Sequence, residues 1–127
     1  MKTKFVNESI SDFLEPKSKE YIINDLKKLP QQKLNTKLLN AAKDGNIEVV
    51  KLLDTGADIN NRSKGIRYTP LIIATINNKK DMVEFLLDHG AEVNLQDEAG
   101  WPAIWYALKN RKQNIVKLLR KYGGSKW

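Results

Sequence analysis

The stretch TPLIIATINNKKDMVEFLLDHGAEVN, residues 69–94, decides how this chain folds. Thr69–Pro70 is a helix start: a hydroxyl that can cap, then a proline at the first helical position, where a missing N–H costs nothing. Met82, Val83, Phe85 and Leu86 recur at helical spacing. Gly90 follows the last turn, and a glycine there can take the left-handed conformation that closes a helix. The segment reads as a short helix, a turn, a second helix and a glycine exit.

Shifted by thirty-three residues, the same pattern appears on either side. TKLLNAAKDGNIEVVKLL begins at Thr36 and PAIWYALKNRKQNIVKLLR at Pro102. Leu38, Leu71 and Ile104 align, as do Ala41, Ala74 and Ala107, Val50, Val83 and Val116, and Leu53, Leu86 and Leu119. The exits are DTGADIN, DHGAEVN and KYGG. The first unit is one residue short before its glycine, and the loop after it is one residue longer, so the period survives. Compensation of that kind points to stacked units whose helices must stay in register.

The pattern resembles the ankyrin repeat, with its thirty-three-residue period, T-P-L-H-x-A-A helix opening, V-V-x-L-L-L second helix and G-A-D-x-N exit. Thr69, Pro70, Leu71, Ala74, Val83, Leu86, Leu87, Gly90, Ala91, Glu92 and Asn94 carry it in the second unit. In the first unit Thr36, Leu38, Ala41, Ala42, Gly45, Val49, Val50, Leu52, Leu53, Gly56, Ala57, Asp58 and Asn60 do so. The resemblance covers roughly residues 35–124 and implies an all-α fold, an ankyrin-repeat solenoid of helix-turn-helix units joined by hairpin-like loops. The units fall at about 35–67, 68–100 and 101–124 within a repeat region 35–127. The family histidine that ties one repeat to the next is replaced by Leu39, Ile72 and Trp105, so apolar packing is expected in place of that polar tie. The glycine between the paired helices becomes Asn78 and Arg111, both asked to adopt a left-handed turn.

Residues 1–34 do not repeat and form an N-terminal leader. SKEYIINDLKKLP has Ser18 as a helix cap, Ile22, Ile23, Leu26 and Leu29 on one face, and Pro30 as a stop. This reads as a helix that covers the open end of the first repeat, because terminal repeats need a polar surface or a cap. At the other end Lys112, Lys117, Arg120 and Lys121 make the last helix pair polar.

Composition narrows the chemistry. The chain of 127 residues is 41% hydrophobic, and no apolar run approaches the ~20 residues of a membrane span. Asn7, Glu8, Ser9 and Asp12 interrupt what would be the apolar part of a signal peptide. The expectation is a cytoplasmic protein, and delivery into a host cell is compatible with it. The absence of cysteine excludes disulfides, Cys-based zinc sites and Cys nucleophiles. The single histidine, His89, sits one residue before a helix-ending glycine, where it can bond the last carbonyls. Asp58 and Glu92 follow Gly-Ala in the exits, where the family orders loop backbone, and Asp97 opens the turn DEAGW as the family's hairpin-tip aspartate does. No nucleophile–base pair, phosphate loop or metal set is present, so no enzyme, cofactor or metal is expected.

The resemblance places function on a concave surface built from loop tips and first helices. Its variable positions fall on Lys64, Arg67 and Tyr68 in one loop and on Glu98, Ala99 and Trp101 in the next. The first helices add Lys43, Asp44, Ile76, Asn77, Lys109 and Asn110. Trp105 is expected between repeats, and Trp101 either as an exposed anchor or as a cover for its neighbour. The expected function is a monomeric protein-interaction module that binds a protein or peptide, including the case of an inhibitor or effector acting on a host enzyme. The alternative is nucleic-acid binding. The net charge of +7 permits it, with Lys17, Lys19, Lys27, Lys28, Lys33 and Lys37 near the N-terminus and Lys79, Lys80, Arg111 and Lys112 at the inter-helix turns.

Overall fold

A computed structural model describes residues 24–53 and 56–125. Ser18, Ile22, Ile23, Lys17 and Lys19, read above, lie outside the described residues. Among those described are six helices: α1 (Gln31–Asp44), α2 (Ile47–Leu53), α3 (Pro70–Ile76), α4 (Lys80–Asp88), α5 (Ala103–Lys109) and α6 (Gln113–Lys121). A single helical turn at residues 24–27 precedes them, and no strand occurs among the described residues. Each helix packs on its partner, α1 on α2, α3 on α4 and α5 on α6. Helix α3 lies between α1 and α5, and α4 packs on α6. The architecture is therefore an all-α stack of three helix pairs, here units 1, 2 and 3.

The helix boundaries follow local chemistry. The Thr69 hydroxyl accepts the Ile72 amide at 3.1 Å, Pro70 holds the first helical position, and both are buried. Between the paired helices each unit turns through one left-handed residue: Gly45 at φ 73°, Asn78 at 57° and Arg111 at 59°. In each turn the next amide closes back on the helix, Asn46 to the Ala41 carbonyl, Lys79 to Ala74 and Lys112 to Ala107, all at 2.9 Å. The bond compensates the strain of a side chain at positive φ.

Two boundaries differ from expectation. Helix α1 begins at Gln31, so Thr36 lies inside it and its hydroxyl donates to the Gln32 carbonyl at 3.0 Å instead of capping. In units 2 and 3 a hairpin glycine, Gly65 or Gly100, breaks the chain before the helix, whereas QQKLN holds no breaker after Pro30. The first exit also differs. Gly90 and Gly123 take φ of 92° and 90°, but Gly56 has no positive φ. A Cβ there would lie 2.9 Å from Leu34 Cδ1, so a larger residue would have to displace the end of that leucine.

The core is continuous. Leu38, Leu71 and Ile104 are all buried, as are Val50, Val83 and Val116 and the alanines Ala41, Ala74 and Ala107. They join one cluster running through the three units, with the half-buried Leu26 and Leu29 packed against it ahead of unit 1. A fully buried Leu or Ile contributes roughly 1.5–3 kcal/mol relative to exposure.

The units are tied by polar bonds as well, at positions other than those of the missing histidines. The Asn60 carbonyl oxygen Oδ1 accepts the Glu92 amide at 2.8 Å, one unit on. Asn94 Oδ1 accepts the Ser125 amide at 2.9 Å, and its Nδ2 donates to the Gly123 carbonyl at 3.1 Å. Asn35, in the first turns of α1, accepts the Asp58 amide at 2.8 Å and begins the same ladder. Asparagines of the exits thus do the tying that the missing histidines do not.

Replacing Asn60 by Ala should lower stability by about 1 kcal/mol, and Thr69→Ala by about 1–2 kcal/mol because its cap bond is buried. Urea unfolding followed by circular dichroism measures both. An unchanged midpoint for Asn60→Ala would remove the ladder from the forces that join the units.

Candidate interaction surface

Each pair of units is joined by a hairpin whose tip projects beside the first helices. In the second hairpin Asp97 and Trp101 close the turn, with the Asp97 amide on the Trp101 carbonyl at 3.1 Å and Gly100 left-handed at φ 88°. Asp97 is 7% exposed, and its Oδ1 accepts the amides of Ala99 and Trp101, each at 2.9 Å. Its Oδ2 accepts the Tyr106 hydroxyl. In the first hairpin Ser63 takes the place of Asp97, accepting the Tyr68 amide at 2.9 Å across a turn one residue longer. Asp58 orders its loop by accepting the Asn60 amide at 2.9 Å, as the sequence implies. The tips are linked where the Glu98 amide donates to the Ile66 carbonyl at 2.8 Å.

An aromatic row runs along the units 2–3 side of this surface. Tyr68 meets the edge of Tyr106 with centroids 6.0 Å apart, and Tyr106 meets Trp105 at 5.1 Å. Trp105 stacks on Trp101 at 4.3 Å and 13°. The Lys109 ammonium stands 5.0 Å above the Trp105 ring, a cation–π contact. Burial, and then the hydrogen bond to Asp97, push the Tyr106 phenol far above its usual range. Trp105 is not enclosed between repeats as expected: it is half-buried and leans on Trp101. Trp101, for its part, covers Trp105 with one face and stays half-buried.

Lys64, Arg67 and Glu98 are exposed on the tips, with Arg67 at φ 63°, and Tyr68 is half-buried behind them. Ile66, at 54% exposure, stands with them and was not singled out from the sequence, where a lone isoleucine in a loop carries no signal. Half-buried Ile76 and exposed Asn77 and Asn110 sit at the far ends of α3 and α5, about 10 Å from the tips along the helix axis. The Asn77 amide is spent on the Ile73 carbonyl at 2.8 Å.

A groove of about 790 Å³ opens between α1 and the first hairpin. Lys33, Lys37, Arg62 and Lys64 line it with Thr36, Asn40 and Asn61, and no acidic residue does among the described residues. Lys33 and Lys37 belong to a lysine run in the sequence, and the fold brings them to the same wall as Lys64. Among the described residues ion pairs are found only at Lys28–Asp25 and Lys51–Glu48, so the groove's cations are not neutralised by one. His89 Nδ1 donates to the Phe85 carbonyl at 2.8 Å and its ring stacks on Phe85, the helix-end role read from its position. No cluster of metal-binding side chains occurs among the described residues, and no helix there is long and apolar enough to cross a membrane.

Stacked helix pairs with hairpin tips and a lined concave side define a repeat solenoid. The chain belongs to the ankyrin repeat family, whose model matches residues 38–127 as three copies. Ankyrin repeats generally mediate protein–protein interaction, and the family is typically non-catalytic. The chain is 28% identical over 116 residues to rat ankyrin repeat and SAM domain-containing protein 6, covering 90% of this chain and 12% of that protein. It is 36% identical to serine/threonine-protein kinase 12 of Arabidopsis thaliana over 68% of this chain but 19% of the kinase. It is also 36% identical to the NF-kappa-B inhibitor cactus of Drosophila yakuba, over 65% of this chain and 18% of that protein. The chain thus spans less than a fifth of each of these proteins.

Asp97→Ala should destabilise the fold by about 2–3 kcal/mol, because it leaves two amides and a phenol without their acceptor. The raised phenol of Tyr106 also sets a pH dependence. Its contribution is complete below the ordinary tyrosine pKa of 10.0 and declines as pH rises above it, because the unfolded chain ionises first. Tyr106→Phe should flatten that decline relative to the parent between about pH 9 and 12. Unfolding curves at stepped pH test the sign, and an unaltered slope would exclude Tyr106.

Proposed function

We propose that the chain is a non-catalytic interaction module that binds an acidic segment of a protein or peptide along its concave side. The basic groove beside α1 carries this reading: among the described residues four cations and no acid line a space large enough for an extended segment. Lys64, Arg67 and Tyr68 continue that surface onto the first tip, and Ile76, Asn77, Glu98, Trp101, Lys109 and Asn110 extend it along α3 and α5. Family membership supports a protein partner, and the relative named as an inhibitor shows that name attached to a protein with such repeats. Inhibition of a bound enzyme is one form the proposal takes.

Nucleic acid is the second reading, because the same cations serve a phosphate backbone. The two separate on salt and nuclease. Immobilised protein should retain a discrete acidic protein from source-cell lysate at moderate salt after nuclease treatment. The exposed double variant Lys33→Glu/Lys64→Glu should lose it by roughly tenfold or more, a difference of about 1.4 kcal/mol. Retention that vanishes with nuclease transfers the groove to nucleic acid, and retention unaffected by the double variant sinks the proposed face.

A further inference from the structure

The turns between paired helices form the edge of the stack opposite the hairpins, and a cleft opens between each neighbouring pair of turns. The two clefts are built alike but charged differently. Between units 1 and 2 a cleft of about 300 Å³ carries Lys79 and Lys80, but also Asp44 and Asp81. Between units 2 and 3 a cleft of about 370 Å³ is lined by Lys80, Arg111 and Lys112, together with Asn78, Gln113 and Asn114. No acid lines it among the described residues. The repeat shows how the charge changed. Glu48, Asp81 and Asn114 share one register position at thirty-three-residue spacing, so unit 3 has an amide where the others have a carboxylate. None of the three cations forms an ion pair with a described residue, and none of the six side chains hydrogen-bonds to one. Arg111 also holds a left-handed backbone at φ 59°, where unit 1 has Gly45 at φ 73°. A long cationic side chain thus stands at a position that its backbone disfavours, and strain of this kind collects where a side chain is used.

We propose that the cleft between units 2 and 3 binds the phosphate groups of a small soluble molecule, a diphosphate or a phosphomonoester. Cations from two units converge on a compact anion of two or more charges, and the Arg111 guanidinium can hold two of its oxygens at once. Phosphate offers three terminal oxygens against two for a carboxylate, so the amide side chains find acceptors as well. The cleft's size suits a small ligand. A nucleic-acid backbone needs a continuous cationic track, and the next cleft along this edge interrupts one with Asp44 and Asp81. The site lies at the far ends of α3 and α5 from the hairpins, so it goes beyond the concave-side reading and does not depend on it.

The first probe is inorganic pyrophosphate, titrated into the full chain by calorimetry and followed in proton–nitrogen spectra. It should bind with a Kd below about 1 mM and shift the amide signals of Arg111, Lys112 and Asn114. Two variants remove the site while favouring the fold. Arg111→Gly supplies the residue that suits a left-handed turn. Asn114→Asp restores the carboxylate of the other units, in the first turn of α6, where an acid is well tolerated. Each should weaken pyrophosphate about tenfold or more while the urea midpoint stays level or rises. Lys33→Glu/Lys64→Glu, at the groove beside α1, should change nothing. ADP and ribose phosphate separate the sources: the tighter of the two names a nucleotide or a sugar phosphate as the ligand class, and either supports the site. Citrate, a carboxylate trianion, should bind at least about tenfold more weakly than pyrophosphate. Equal binding of citrate, failure of both organic phosphates to bind, shifts confined to the α1 groove, or parental affinity in both variants overturns the proposal.

Discussion

A helix pair of this size cannot bury its apolar face alone, and everything else in the molecule depends on that constraint. Helices α3 and α5 are seven residues each, too short to persist in water as isolated helices. They exist because Leu71, Ile72, Ala74, Ile104 and Ala107 find the neighbouring unit in register. The register explains why a residue lost before Gly56 is restored in the following loop. It also explains why Asn78 and Arg111 hold a left-handed turn that favours glycine: a change in the turn would shift an entire helix against its neighbour.

The polar network serves the same requirement from the loop side. The asparagine ladder pins each exit to the next, and Asp97 fixes the second hairpin on α5 through Tyr106. These groups are satisfied internally, whereas the cations of the tips and of α1 are exposed to solvent. The surface is thus divided by chemistry: hairpin geometry is set by short residues that accept backbone amides, and the exposed tips carry long side chains that do not.

Much of this was legible from the residues. The Thr69 cap, the left-handed Asn78 and Arg111, the His89 contact with a helix-end carbonyl and the Asp97 turn all involve partners within a few positions, where spacing predicts contact. The ladder was not, because Asn60 and Glu92 are thirty-two residues apart and an exit asparagine looks like any turn residue. The extension of α1 back to Gln31 was missed because alignment to the repeat drew attention to Thr36. The pairing of Trp101 with Trp105 depends on the hairpin folding down onto α5, which no local rule supplies.

The sequence by itself determined the period, the helix pairs, the all-α class and the membership that follows from them, since apolar spacing and turn residues are local and recur three times. Only the tertiary structure decided which lysines share a groove and which aromatic ring covers which. Those facts depend on residues that separate elements bring together, which no local spacing records.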